Sequence, residues 1–154
     1  MTDPELAPAA EHADGSGASE PADPQLPAPV RQRVVALVAA VLGDLPIDEI
    51  PGPVRRIARF APQRRAKLGG TAIAAQLASD PLFRQRVATR VVQRAGELGE
   101  AVRDGAHPAA ADPVEVAALA YLSRPEGWTS LVGAASDAVQ AAAVDEAAAA
   151  EIRR

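Results

Sequence analysis

Prolines cut this chain into stretches of helical length. Pro27 and Pro29, Pro62, Pro81 and Pro113 each stand at the head of a run in which apolar residues recur every three or four positions. Proline fits the first turn of an α-helix, where its missing N–H would have no partner anyway, and disrupts a helix interior or a central strand. Two of these starts are written more fully. Asp80-Pro81 pairs an N-cap acid with proline at the first helical position, and Asp112-Pro113-Val114-Glu115 adds an acid where a capping box places one. Aromatic residues make up only 3% of the chain although 48% is hydrophobic, so the core must be built from Ala, Val, Leu and Ile. That composition suits closely packed helices better than a sheet. The expected architecture is all-α, a small multi-helix bundle, and 154 residues leave room for one domain of ordinary size plus tails.

The periodicity divides the bundle. Val30, Val34, Leu37, Val38 and Val41 give a first helix one apolar face, and Gly43 ends it. Three prolines and a glycine between Asp44 and Pro53 predict a turn with at most a short helix near Ile47 to Ile50. Val54, Ile57 and Ala58 support another short helix, and Pro62 restarts a helix to about Ala78. In that helix Gly69-Gly70 needs a reason, because each interior glycine costs about 1 kcal/mol relative to alanine. The pair either lets a neighbouring helix approach closely, the preferred reading, or opens a bend near a ligand phosphate.

After Asp80-Pro81, Phe83, Val87 and Val91 form an apolar stripe, with Arg86, Arg90 and Arg94 about 100 degrees around the helix. Glu97 to Asp104 extend or follow it. The helix opened by Asp112 and Pro113 runs to about Ser123. Trp128, Leu131, Val132, Ala135 and Val139 then make a clear amphipathic stripe, with Trp128 as a core anchor. The domain is expected over 26–140, and 141–154 read as the start of a helical linker or coiled coil that is cut rather than finished. Residues 1–25 hold six acids (Asp3, Glu5, Glu11, Asp14, Glu20 and Asp23), no Lys or Arg, and almost no large apolar side chain. They are expected to form a disordered acidic tail, which either shields the basic stretch that follows or merely keeps the chain soluble.

That basic stretch is the strongest functional signal. From Arg55 to Arg94 the chain carries ten basic residues and a single acid, Asp80, for a local charge of +9 in a chain of net charge -4. Clustered cations attract phosphate backbones whatever their sequence. The candidate nucleic-acid-binding residues are Arg55, Arg56, Arg59, Arg64, Arg65, Lys67, Arg86, Arg90 and Arg94. Only Phe60 and Phe83 offer aromatic faces in this stretch, both at expected core positions, so contacts should be to phosphates with little base preference.

Catalytic chemistry finds no foothold. His12 and His107 have no spaced partner for a metal, and no GxSxG elbow or P-loop is present. Asp80, Asp112 and Glu115 read as helix caps. No catalytic residue, metal ligand or cofactor is therefore assigned. The chain has no cysteine, its N-terminus lacks the pattern of a signal peptide, and its longest apolar run, Val34 to Leu42, is far too short to span a bilayer. A cytoplasmic location without membrane contact is the expectation.

From Leu26 to about Ala135 the chain resembles a region of actinobacterial NYN-domain (YacP-like) proteins, RNA-binding and related to PIN-type ribonucleases. The likeness rests on LPAPVRQRV (26–34), ARFAPQRRAKLGGTAIAAQLASDPLFRQRV (58–87) and ADPVEVAALAYLSRPEGWTSLV (111–132). It implies a helical region that precedes a coiled coil and a metal-dependent NYN domain whose acidic cluster has no counterpart here. The expected function is a noncatalytic helical accessory module of an RNA-processing protein that contacts RNA phosphates. The alternative is a protein-interaction or assembly module, self-associating through its C-terminal helix, with no nucleic-acid role.

Overall fold

Each helix start read from the sequence is a helix start in the computed structural model, which describes residues 24–153. The described residues form six α-helices and no strand: α1 (Ala28–Leu42), α2 (Gly52–Ala58), α3 (Pro62–Ser79), α4 (Pro81–Arg103), α5 (Pro113–Ser123) and α6 (Trp128–Ile152). A single 3-10 turn, Ile47–Glu49, lies between α1 and α2. The chain is all-α as expected. The acidic tail lies outside the described residues except for Pro24 and Gln25.

The two aspartates cap as their sequence context requires. Asp80 Oδ1 accepts from the Phe83 amide at 3.0 Å, and Asp112 Oδ1 accepts from the Val114 amide at 2.9 Å. Each satisfies one of the donors that a helix N-terminus leaves unpaired. Glu115 does not complete the expected capping box. It turns instead to α1, where both of its carboxylate oxygens accept from Arg33.

The centre of the bundle is α5, in which every residue from Val116 to Leu122 is buried. A helix apolar on all sides must be surrounded. Helices α1, α4 and α6 pack around it. Val30, Val34 and Val38 of α1 and Phe83, Val87 and Val91 of α4 meet in the same core. Helix α3 closes the far side of α1 and runs antiparallel to it: Arg65 near its start reaches Ala39, Gly70 lies against Val35, and Ala74 near its end shares a recess with Arg31.

Two glycine positions shape the helices. A Cβ at Gly69 would stand 2.5 Å from Ile57 Cγ2, so α2 packs on α3 at a distance only glycine permits. Close packing is thus the role of Gly69, and α3 runs unbroken from Pro62 to Ser79. Helix α4 breaks at Gly96, with φ 62 and ψ -133, and then resumes to Arg103. Beyond the break the Val92 carbonyl oxygen lies 2.4 Å from where a Cβ of Gly99 would sit, so a second glycine is needed to seat the kink.

The turn from α5 to α6 is held by Arg124, which adopts the left-handed conformation (φ 47). Its guanidinium lies 4.4 Å from the Trp128 ring centre and 5.2 Å from that of Tyr121, while the two rings meet edge to face. Trp128 anchors α6 to the core as expected, and Val132 and Ala135 are fully buried beside it. From Gln140 to Ala148 every residue of α6 is exposed. Among the described residues no helix is long and apolar enough to cross a membrane.

Candidate nucleic-acid interface

The nine candidate residues separate into groups with different neighbours. Arg56, Arg59, Arg64 and Lys67 are exposed on α2, the turn after it and the start of α3. No carboxylate occurs in sequence between Glu49 and Asp80, and among the described residues none of these four cations makes an ion pair. Arg64 lies over the Phe60 ring at 5.0 Å from its centre. Phe60 is only half-buried, so it is not the core residue expected, whereas Phe83 is buried.

Arg65 and Arg94 reach the C-terminus of α1 instead, Arg65 half-buried and Arg94 still exposed. Arg65 donates through Nη1 to the Ala39 carbonyl at 2.8 Å, and Arg94 donates through Nη1 to the Ala40 carbonyl at 3.5 Å, the long limit of a hydrogen bond. Carbonyls in the last turn of a helix lack partners and carry partial negative charge, so α1 draws one arginine from α3 and another from α4 to its C-terminus. Gly43 makes room for the first, since a Cβ there would stand 2.7 Å from Arg65 Nη2.

Arg55 and Arg86 share a recess with Asp48, Glu49 and Asp80. Arg55 also donates to the Ile50 carbonyl at 2.9 Å. Three acids against two cations leave little positive field there. Arg90 is half-buried on α4 between Arg86 and Arg94. Arg84, counted in the local charge but not among the candidates, is buried and donates to the Leu122 carbonyl at 2.7 Å. The candidates therefore differ in their neighbours, and those with neither an acid in their recess nor a helix carbonyl as acceptor include the four at the α2–α3 corner.

Sequence reasoning missed Arg31. It lies upstream of the basic stretch, and the antiparallel pairing of α1 with α3 places it on the same groove as Lys67. This open groove has a volume of about 610 Å³, a floor that includes Val35, Gly70 and Ala74, and no acidic residue in its lining. No local pattern marks Arg31, because its neighbour is 36 positions away. Among the described residues no group of three His, Asp or Glu could hold a metal ion. No protein-family model, curated protein or solved structure matches this chain.

Proposed function

We propose that this chain is a noncatalytic helical module that holds RNA through its phosphates, as the accessory part of a cytoplasmic NYN-type RNA-processing protein. The observation that carries the reading is the α2–α3 corner, where Arg56, Arg59, Arg64 and Lys67 are exposed and no acid lies between Glu49 and Asp80. Cations without nearby carboxylates keep their field for a polyanion. Base stacking has little to offer beyond Phe60, whose ring Arg64 already covers, so recognition is of backbone rather than sequence.

The test is binding of a single-stranded RNA oligonucleotide across a salt series. Four phosphate contacts give a log-log slope of about -3, and changing all four residues to Glu should abolish binding while helicity by circular dichroism is kept. Binding indifferent to salt, or to those four changes, removes the proposal.

A second reading draws on α6. Its exposed half carries Val144 and Ile152 on the surface at 63% and 84% exposure, which suits pairing with another helix. An alanine-rich seam buries little area and holds a partner weakly. Light scattering over a dilution series separates the readings, because the assembly module dissociates on dilution and the RNA module is indifferent to it.

A further inference from the structure

We propose that the acidic residues 1–23 of this chain seat in the groove between α1 and α3 and there compete with a polyanion for Arg31 and Lys67. Seating stands on the groove alone; the competition rests on the RNA reading above.

Three observations converge on that occupant. The groove presents Arg31 and Lys67 and has no carboxylate in its lining, whereas the recess of Arg55 and Arg86 holds Asp48, Glu49 and Asp80, and that of Arg94 holds Glu115. Two other hollows also lack an acid in their lining: one holds Arg84, bonded to the Leu122 carbonyl, and Arg103, beside Asp104, and the other is the recess next to the groove that shares Arg31 with it. Residues 1–23 supply six acids and no Lys or Arg. The chain also arrives at the right place: Pro24 and Gln25 line a neighbouring recess that shares Arg31, Val35 and Ala74 with the groove.

Reach and affinity are adequate. Glu20 stands four residues before Pro24, a span of up to about 13 Å when extended, while Arg31 to Val35 covers only about 6 Å of helix. The small side chains at Gly70 and Ala74 let a backbone lie close to the floor. Exposed ion pairs are weak singly, but a short tether raises the effective concentration of the tail to the millimolar range. The contact is thus reversible, screened by salt, and open to displacement by a ligand with more phosphates.

The chain has no cysteine, so Ser16→Cys gives a single attachment point for a spin label on the otherwise intact protein. Seating predicts that amide signals of Arg31–Val35 and Gly70–Ala74 lose at least about half of their intensity to the label, while those of α6 beyond Gln140 keep theirs. Lys67→Glu together with Arg31→Gln should restore the groove signals, as should high salt. No loss at the groove, or equal loss on α6, overturns the seating whatever the RNA result. A second variant has the six tail acids replaced by Asn or Gln. Tail and RNA share Lys67; if the tail occupies the groove in about nine molecules of ten and excludes RNA while seated, this variant binds the RNA oligonucleotide up to about tenfold more tightly at low salt. Unchanged affinity beside intact relaxation overturns the competition. Absence of RNA binding in both proteins overturns the RNA reading and leaves the seating standing.

Discussion

Arg33 on α1 grips Glu115 on α5 through two parallel hydrogen bonds, from Nε and Nη2 to the two carboxylate oxygens, across 82 positions of sequence. The pair fixes the first helix against the central one. Its geometry is that of a fork meeting a carboxylate, the stronger class of ion pair, although Arg33 is 44% exposed and solvent weakens the attraction. Removing either partner should cost about 1 kcal/mol, and a double-mutant cycle with Arg33→Ala and Glu115→Ala should return most of that as coupling energy. The hydrogen bond from Arg33 to Glu115 raises the arginine's pKa, against a smaller desolvation that lowers it. A base with a raised folded value contributes its full stability below the unfolded value and loses it only as pH climbs through the folded one. The arginine's contribution should thus stay level from roughly pH 6 to 10, and thermal melts of the Arg33→Ala variant at the two ends of that range check it.

Adjacent glycines on α3 should respond to alanine with opposite signs. At Gly69 the new methyl would collide with Ile57 Cγ2 and Cδ1 at 2.5 and 2.7 Å; overpacking of this kind costs about 1–3 kcal/mol, more than the roughly 1 kcal/mol that helix propensity returns. At Gly70 the methyl would meet Val35 Cγ1 at 3.5 Å, an ordinary contact. Gly70→Ala should therefore stabilise by up to about 1 kcal/mol. Urea melts of the two single variants test the contrast, and equal effects would mean that α2 does not sit on Gly69.

The kink in α4 yields a second pair of glycine predictions. Gly96 has open space around it, so Gly96→Ala acts on the backbone alone and should cost about 1–3 kcal/mol through its positive φ. Gly99 is different, because the obstacle is the Val92 carbonyl, which cannot rotate away. Gly99→Ala should either straighten the helix or destabilise the protein at least as much. Amide exchange at Ala95 to Val102 distinguishes straightening from loss of stability.

Helix starts were legible because their signals are local. Asp80 and Asp112 act on amides two and three residues away, and proline restricts its own turn. Partners of long side chains were not legible. Nothing near Glu115 says that its carboxylate leaves the N-terminus of α5 for Arg33, and nothing near Arg65 or Arg94 says that they end at the carbonyls of Ala39 and Ala40. Those choices are made by tertiary neighbours, which one-dimensional periodicity cannot place. A count of charges over Arg55 to Arg94 therefore overstated the free cations, and its window excluded Arg31, which packing brings to the groove of Lys67.

The difference between a counted charge and an available one can be measured with Arg84 and Arg64. Arg84 is buried and donates to the Leu122 carbonyl from α4 to α5. Arg84→Met keeps much of the packing volume but leaves that carbonyl short of a donor, so it should destabilise by about 1–3 kcal/mol. Its salt slope for RNA binding, taken on folded protein, should match that of the unmodified chain. Arg64 is exposed and rests on the face of Phe60. Arg64→Gln should lose only about 0.5–1 kcal/mol of stability with the ring contact yet flatten the salt slope by about 0.7–0.9. Melts and binding isotherms on the two variants should move in opposite patterns. A slope that falls with Arg84 and not with Arg64 would place the polyanion on α4 rather than on the α2–α3 corner.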